Sequence, residues 1–220
     1  MPEFTRFTEE AVDMLWQLRL NNNREWYQVN KDRFKQLVHE PMAAFGDAVR
    51  KRLVAHDPKF DGLPGVSRTA RDTRFSKIKE PYKDCKWIMF RPDHWSTIEY
   101  YKPTYFFEIM PESYRFGFGY WPGPKGMAEL RKIFDANPAK LARLAAEFHA
   151  QDYFKLEDDA YKKRMTEQDL SPETLRFYQS KSLTFIHYNN YDSVFFSPEL
   201  PDFVADRMIS LYEMYLFLTP

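Results

Sequence analysis

Apolar residues recur at helical spacing at both ends of this chain, and gather into short aromatic runs in its middle. Met14, Leu15 and Leu18 form one stripe near the N-terminus, which predicts an amphipathic helix. Thr8 is placed to cap it, Glu9 and Glu10 suit the positive end of its dipole, and Phe7 can staple onto Val12. Asn21-Asn22-Asn23 ends it. A second helix is expected from Arg24 onward, with Trp26, Phe34 and Leu37 on its apolar side. A third, carrying Met42, Phe45, Val49 and Leu53, has Pro41 in its first turn and stops before Asp57-Pro58. Residues 61–65 read as loop.

The middle of the chain follows another rule. Residues 87–90, 105–110 and 114–120 are aromatic or β-branched runs bounded by Pro and Gly, as antiparallel strands are, with Pro111-Glu112-Ser113 as the turn between the last two. Helix then returns over 125–134 and 138–149, divided at Asn137-Pro138. A short helix is expected over 172–178 and a strand over 182–187. A closing helix carries Phe203, Val204, Met208, Leu211, Tyr212 and Tyr215 on one face. Helices, then strands, then helices predict an α+β fold: an antiparallel central sheet flanked by N-terminal and C-terminal helices, in a single domain over residues 1–220.

Composition supports that reading. Hydrophobic residues make up 44% of the chain and aromatics 18%, enough for a large core. Thirty-two basic residues balance 32 acidic ones, so the chain has no global field for coating duplex DNA or an anionic membrane, and any nucleic-acid role has to be local. The single cysteine, Cys85, has no internal disulfide partner, which suits a reducing, cytoplasmic setting. The N-terminal sequence lacks a basic region followed by an apolar run, predicting no secretory signal. The apolar stretch 208–218 is broken by Glu213 and is too short to span a bilayer.

Against that neutral background one segment stands out. Residues 71–83 read R-D-T-R-F-S-K-I-K-E-P-Y-K, and residues 68–86 hold seven cations against three acids, Asp72, Glu80 and Asp84. Arginine offers a planar fork to phosphate or carboxylate, and lysine a point charge. Were the segment extended, Arg71, Thr73, Phe75, Lys77 and Lys79 would share one face as an anion cradle. Tyr82 and Ser76 are then the candidates for handling a proton. Asp72, between Arg71 and Arg74, supports the opposing reading of a structural ion-pair network with a solvated face.

The same segment resembles the signature of a family catalogued as domain of unknown function 2461. Asn22-Asn23-Arg24-Glu25-Trp26-Tyr27 is similar to its N-N-R-x-W-[FY] motif, Phe106-Phe107-Glu108-Ile109 and residues 115–120 to its central sheet, and Ser180-Lys181-Ser182 with the last helix to its C-terminal part. Ile78 stands where the family often has Asp, and Glu80 where it often has Thr or Ser, which argues against a mechanism needing a carboxylate at position 78. The resemblance implies an intact single-domain α+β protein and supplies no reaction.

Other chemistries find little support. Gly117-Phe118-Gly119 lacks the Lys-[Ser/Thr] of a P-loop and the third glycine of a dinucleotide fingerprint; its glycines suit close approach of another segment to a strand. The five histidines are dispersed, Asp93-His94 and Glu157-Asp158-Asp159 fit solvated acidic runs, and no metal or cofactor is expected. Lys83 and Lys86 flank Cys85 and are expected to lower its thiol pKa, but no histidine partner accompanies it. Glu99 and Glu108 are polar exceptions among aromatic neighbours, Glu108 being a minor acid/base candidate.

The leading expectation is a pocket in which Arg71 and Arg74 clamp a phosphorylated or carboxylated small molecule, Lys77, Lys79 and Lys83 neutralise charge, and Tyr82 or Ser76 moves a proton in group transfer or hydrolysis. Asn22 and Trp26 are candidate ligand clamps beside it, with helix capping as the structural alternative. Two other classes stay open: a non-catalytic interaction module with an aromatic surface, and local single-stranded nucleic-acid binding through Phe75 and Tyr82. No membrane partner is expected, and no protein partner is indicated.

Overall fold

Thr8 caps the first helix as the pattern predicts, its Oγ1 accepting the Ala11 N–H at 3.3 Å. That helix, α1 (Glu9–Leu20), buries Ala11, Met14, Leu15 and Leu18. Asn23 Oδ1 accepts the Trp26 N–H at 2.9 Å and starts α2 (Arg24–Phe34). The computed structural model describes residues 3–74, 77–92, 102–157 and 159–219.

The break expected before Pro41 does not occur. α2 passes through one π turn, Lys35–His39, into α3 (Glu40–His56), with the Glu40 N–H donating to Lys35 O five residues back. Proline has no N–H, and its ring crowds the carbonyl four residues earlier; widening one turn relieves that without ending the helix.

Among the described residues six strands occur, in the order β1 (Gly65–Val66), β2 (Lys86–Phe90), β3 (Thr104–Ile109), β4 (Tyr114–Tyr120), β5 (Lys155–Glu157) and β6 (Leu183–Asn189). They form one antiparallel sheet ordered β1-β2-β3-β4-β6-β5. Met110 N–H donates to Ser113 O at 2.9 Å and closes the β3–β4 hairpin at the expected turn. β1 and β5 were not foreseen: at two and three residues they are too short to display alternation. Helices α4 (Gly123–Ala136) and α5 (Pro138–Ala150) lie between β4 and β5, α6 (Pro172–Gln179) lies between β5 and β6, and α7 (Leu200–Ser210) and α8 (Tyr212–Phe217) follow β6. The single closing helix expected from the stripe is split at Leu211 (φ −93°, ψ 4°), whose N–H turns back to Met208 O at 3.1 Å. The architecture is α+β. No helix among the described residues is long and apolar enough to cross a membrane.

The chain divides into two compact units. The first comprises Met1–Asp93, Phe106–Phe116 and Tyr188–Asp206. Its core is aromatic: Phe7 stacks on Phe195 at 5.1 Å between centroids, Phe45 lies 4.2 Å from Phe107, and Tyr114 4.9 Å from Phe195. Each such ring contributes roughly 1.5–3 kcal/mol on full burial.

The second unit comprises His94–Tyr105, Gly117–His187 and Arg207–Pro220. There Tyr105 stacks on Tyr215 at 4.8 Å, and Phe118 on Phe185 at 4.4 Å. Gly117, at φ +154°, lets the Phe185 carbonyl approach so closely that an added Cβ would lie 1.8 Å from its oxygen. This glycine serves close strand packing, as its context in the sequence implied.

Candidate functional site

The basic segment forms one side of a β-ribbon in the first unit. Beyond the β1–β2 register (Val66↔Ile88), Ala70 and Tyr82 form a further antiparallel bridge. Arg71 N–H donates to Pro81 O and Lys83 N–H to Thr69 O, both at 2.8 Å. This pattern places the cross-strand bonds on either side of the Ala70–Tyr82 pair, so the N–H and C=O of Tyr82 point away from the opposite strand. Asn22, at the α1–α2 corner, meets both. Its Nδ2 donates to Tyr82 O at 3.0 Å, and its Oδ1 accepts the Tyr82 N–H at 3.0 Å. On α2, Tyr27 stacks on the Tyr82 ring at 4.1 Å, leaving Tyr82 8% exposed.

Strand alternation then sorts the side chains. Ala70 and Tyr82 take one face of the ribbon, and Thr69, Arg71 and Lys83 take the other. Arg71 reaches Tyr82 O through Nη2 at 3.4 Å, while its Nε is buried with no partner among the described residues. Lys83 Nζ donates to Arg68 O at 3.2 Å and lies over the Trp87 ring. Lys86, 1% exposed, donates through Nζ to Ser67 O and, at 3.3 Å, to Thr69 Oγ1. Arg71 and Lys83 thus share the ribbon face with Thr69, and Lys86 Nζ meets the Thr69 hydroxyl; among the described residues none of the three is paired with a carboxylate.

Two of the segment's three acids are engaged elsewhere, and the third, Glu80, lies exposed on the loop before the 81–83 strand. Asp72 takes Arg74 in a two-point pair, with Nε at 3.0 Å and Nη2 at 2.7 Å, and Asp84 pairs with Arg19 of α1. The Arg74 bond holds the Asp72 carboxyl below its ordinary range. The extended face expected from Arg71 to Lys79 does not form: the ladder ends at Arg71, and the described residues of 72–80 carry no strand. The reason is local, since Asp72 Oδ1 also accepts the Arg74 N–H and turns the chain. Arg74, Lys77 and Lys79 lie exposed on this loop, with Lys79 Nζ on Thr73 O at 3.2 Å. Ser76 and Phe75 lie outside the described residues. Trp26 is half-buried in the first turn of α2.

A family model described as conserved hypothetical protein, DUF2461, matches residues 10–217. The chain belongs to this family. A comparison with curated proteins found no match. In this DUF2461 chain, two of the segments that carried the resemblance, 22–27 and 71–83, are joined by Asn22 and Tyr82.

Sequence reasoning left Lys86 out of the site. Its signal was its parity with Ile88 and Phe90, the inward positions of β2. Burial, and then the charge of Lys83, brings its pKa down to about 8. Cys85 requires a correction. The flanking lysines were expected to lower its thiol pKa, yet burial and then Glu108 push it up to about 12. Glu108, 7% exposed, is held by Arg115 Nε at 2.6 Å across the β3–β4 hairpin, and Arg115 Nη1 donates to Tyr188 Oη at 2.8 Å. This is a closed ion pair rather than a waiting acid.

Among the described residues no group of His, Cys, Asp and Glu side chains converges as a metal site. In the second unit, a cavity of about 360 Å³ has Glu147 and Glu213 on its wall, but Arg143 already pairs with both.

Proposed function

We propose that the Arg71–Lys83 face of the ribbon binds a small phosphorylated or carboxylated molecule. The observation that supports this reading is that Arg71 and Lys83 share one face of the ribbon and neither has a carboxylate partner among the described residues. Like charges gathered on one side of a ribbon are unfavourable unless a counter-charge arrives. Arg71 is the anchor, because its buried Nε lacks an acceptor that an anion would supply. Lys83 gives the second charge, and Arg74, Lys77 and Lys79 give an outer, screened one. Asn22 and Tyr82 enter as positioning residues: the carboxamide and the Tyr27 stack fix the strand from which Lys83 projects.

Two features argue against stacking a nucleic-acid base here. The Tyr82 ring is covered by Tyr27, and the chain has no basic excess. Calorimetric titration with sulfate tests the proposal. Arg71→Ala is expected to weaken binding by about tenfold or more, as loss of a charge-assisted hydrogen bond does. Unchanged affinity in a folded Arg71→Ala protein overturns the proposal.

A further inference from the structure

Lys86 is a third cation at this face, and the reading above gives it no task. Its Nζ meets two acceptors, Ser67 O and Thr69 Oγ1. A neutral amine has two N–H groups, and both find acceptors; an ammonium has a third, with none among the described residues. Thr69 links Lys86 to the face, with its hydroxyl 3.3 Å from Lys86 Nζ and its carbonyl on the Lys83 N–H at 2.8 Å. The neutral form of Lys86 thus suits an empty face, and the charged form suits an occupied one.

We propose that the face takes a doubly charged tetrahedral anion, a phosphomonoester or sulfate, and that its binding draws a proton onto Lys86. This inference rests on the anion reading and adds the ligand class and the proton coupling. The groups facing Lys86 are few. Lys83 and Cys85 come from its own segment, and His39 from the π turn between α2 and α3. Burial and then Lys86 lower the His39 pKa, which favours the neutral imidazole, so this side chain adds no like charge and brings no negative one. Nearby acids are engaged: Glu108 by Arg115, Asp84 by Arg19, and Glu40 by Lys35. A dianion brings the missing counter-charge and stabilises the ammonium, whereas a monocarboxylate brings less.

The sign follows from linkage. The bound anion favours protonated Lys86, so protons are taken up on binding, and affinity falls as pH rises through about 8. Sulfate is the probe, because it does not titrate in this range. Calorimetry near pH 8, in buffers of different ionisation enthalpy, is expected to show uptake of about half a proton, and affinity is expected to fall about five- to tenfold from about pH 7 to about pH 9. Lys86→Arg, which keeps the charge without titrating, is expected to bind sulfate with no uptake and a flat pH profile. Wild-type proton uptake needs no variant to fold, so it decides the matter alone if that variant is unstable. Sulfate binding with buffer-independent enthalpy, uptake that persists in a folded Lys86→Arg protein, or acetate binding as tightly as sulfate overturns this inference alone. No sulfate binding at all overturns the anion reading, and this inference with it.

Discussion

The Asn22 carboxamide hydrogen-bonds both backbone groups of Tyr82 at 3.0 Å, acting as a one-residue strand along the outer edge of the basic ribbon. A short ribbon edge is otherwise left to water, and its register is weakly held. Through Asn22 the α1–α2 corner fixes where the 81–83 strand lies, and so where Lys83 points.

Asn22→Ala removes both bonds, leaving the partly buried Tyr82 N–H without a partner and its C=O with only Arg71 Nη2 at 3.4 Å. The expected loss is about 1–3 kcal/mol in urea unfolding, accompanied by weaker sulfate binding. Asn22→Ala with unchanged stability would show that water replaces the carboxamide.

Lys86 makes stability depend on pH in a stated direction. Its folded pKa, about 8, is below the ordinary 10.5. Below the folded value the ammonium is charged in both states and the folded protein carries its full burial penalty; above the ordinary value it is neutral in both, and the penalty is gone. Relative to Lys86→Met, the wild-type protein should gain up to about 3 kcal/mol as pH rises through that window. Denaturant titrations of the two proteins at the ends of the window measure it, and a constant difference contradicts the account.

Cys85 should be a slow thiol. Burial and Glu108 hold it protonated, with its pKa near about 12, so alkylation at about pH 8 is expected to run at least about tenfold slower than for free cysteine. Unfolding in urea should restore the ordinary rate. A fast reaction in the folded protein would mean that the flanking lysines outweigh burial.

The glycines of β4 separate two kinds of close approach. Gly117→Ala places a Cβ 1.8 Å from a backbone oxygen, Phe185 O, at φ +154°, whereas Gly119→Ala meets the Trp121 ring at 2.0 Å. Trp121 is 47% exposed and can swing away; the Phe185 backbone cannot. Gly117→Ala should cost more than about 3 kcal/mol or prevent folding, and Gly119→Ala clearly less. Thermal melts of the pair check the order.

Much of the fold was legible because its signals are local. Thr8 and Asn23 announce helix starts, and the aromatic runs give β3 and β4 with their turn. The π turn was hidden because Pro41 reads equally well as a first-turn residue and as a strained interior one. In the site, Asp72 was visible as a counter-ion of Arg74, since the two are neighbours in sequence. Asn22 and Tyr82 are 60 residues apart, and no spacing rule connects them. The raised thiol pKa of Cys85 depends on burial and on Glu108, which local charge counting omits. Lys86 was readable from strand parity, but its charge drew it into a count of exposed cations.

The central claim is that the anion sits on the ribbon face rather than on the loop. A crystal structure with sulfate answers this directly. The account predicts an ordered sulfate within hydrogen-bonding distance of Arg71 Nε and Lys83 Nζ, with Arg74 still paired to Asp72. Sulfate held by Arg74, Lys77 and Lys79 on the loop, with the face around Thr69 empty, would contradict it.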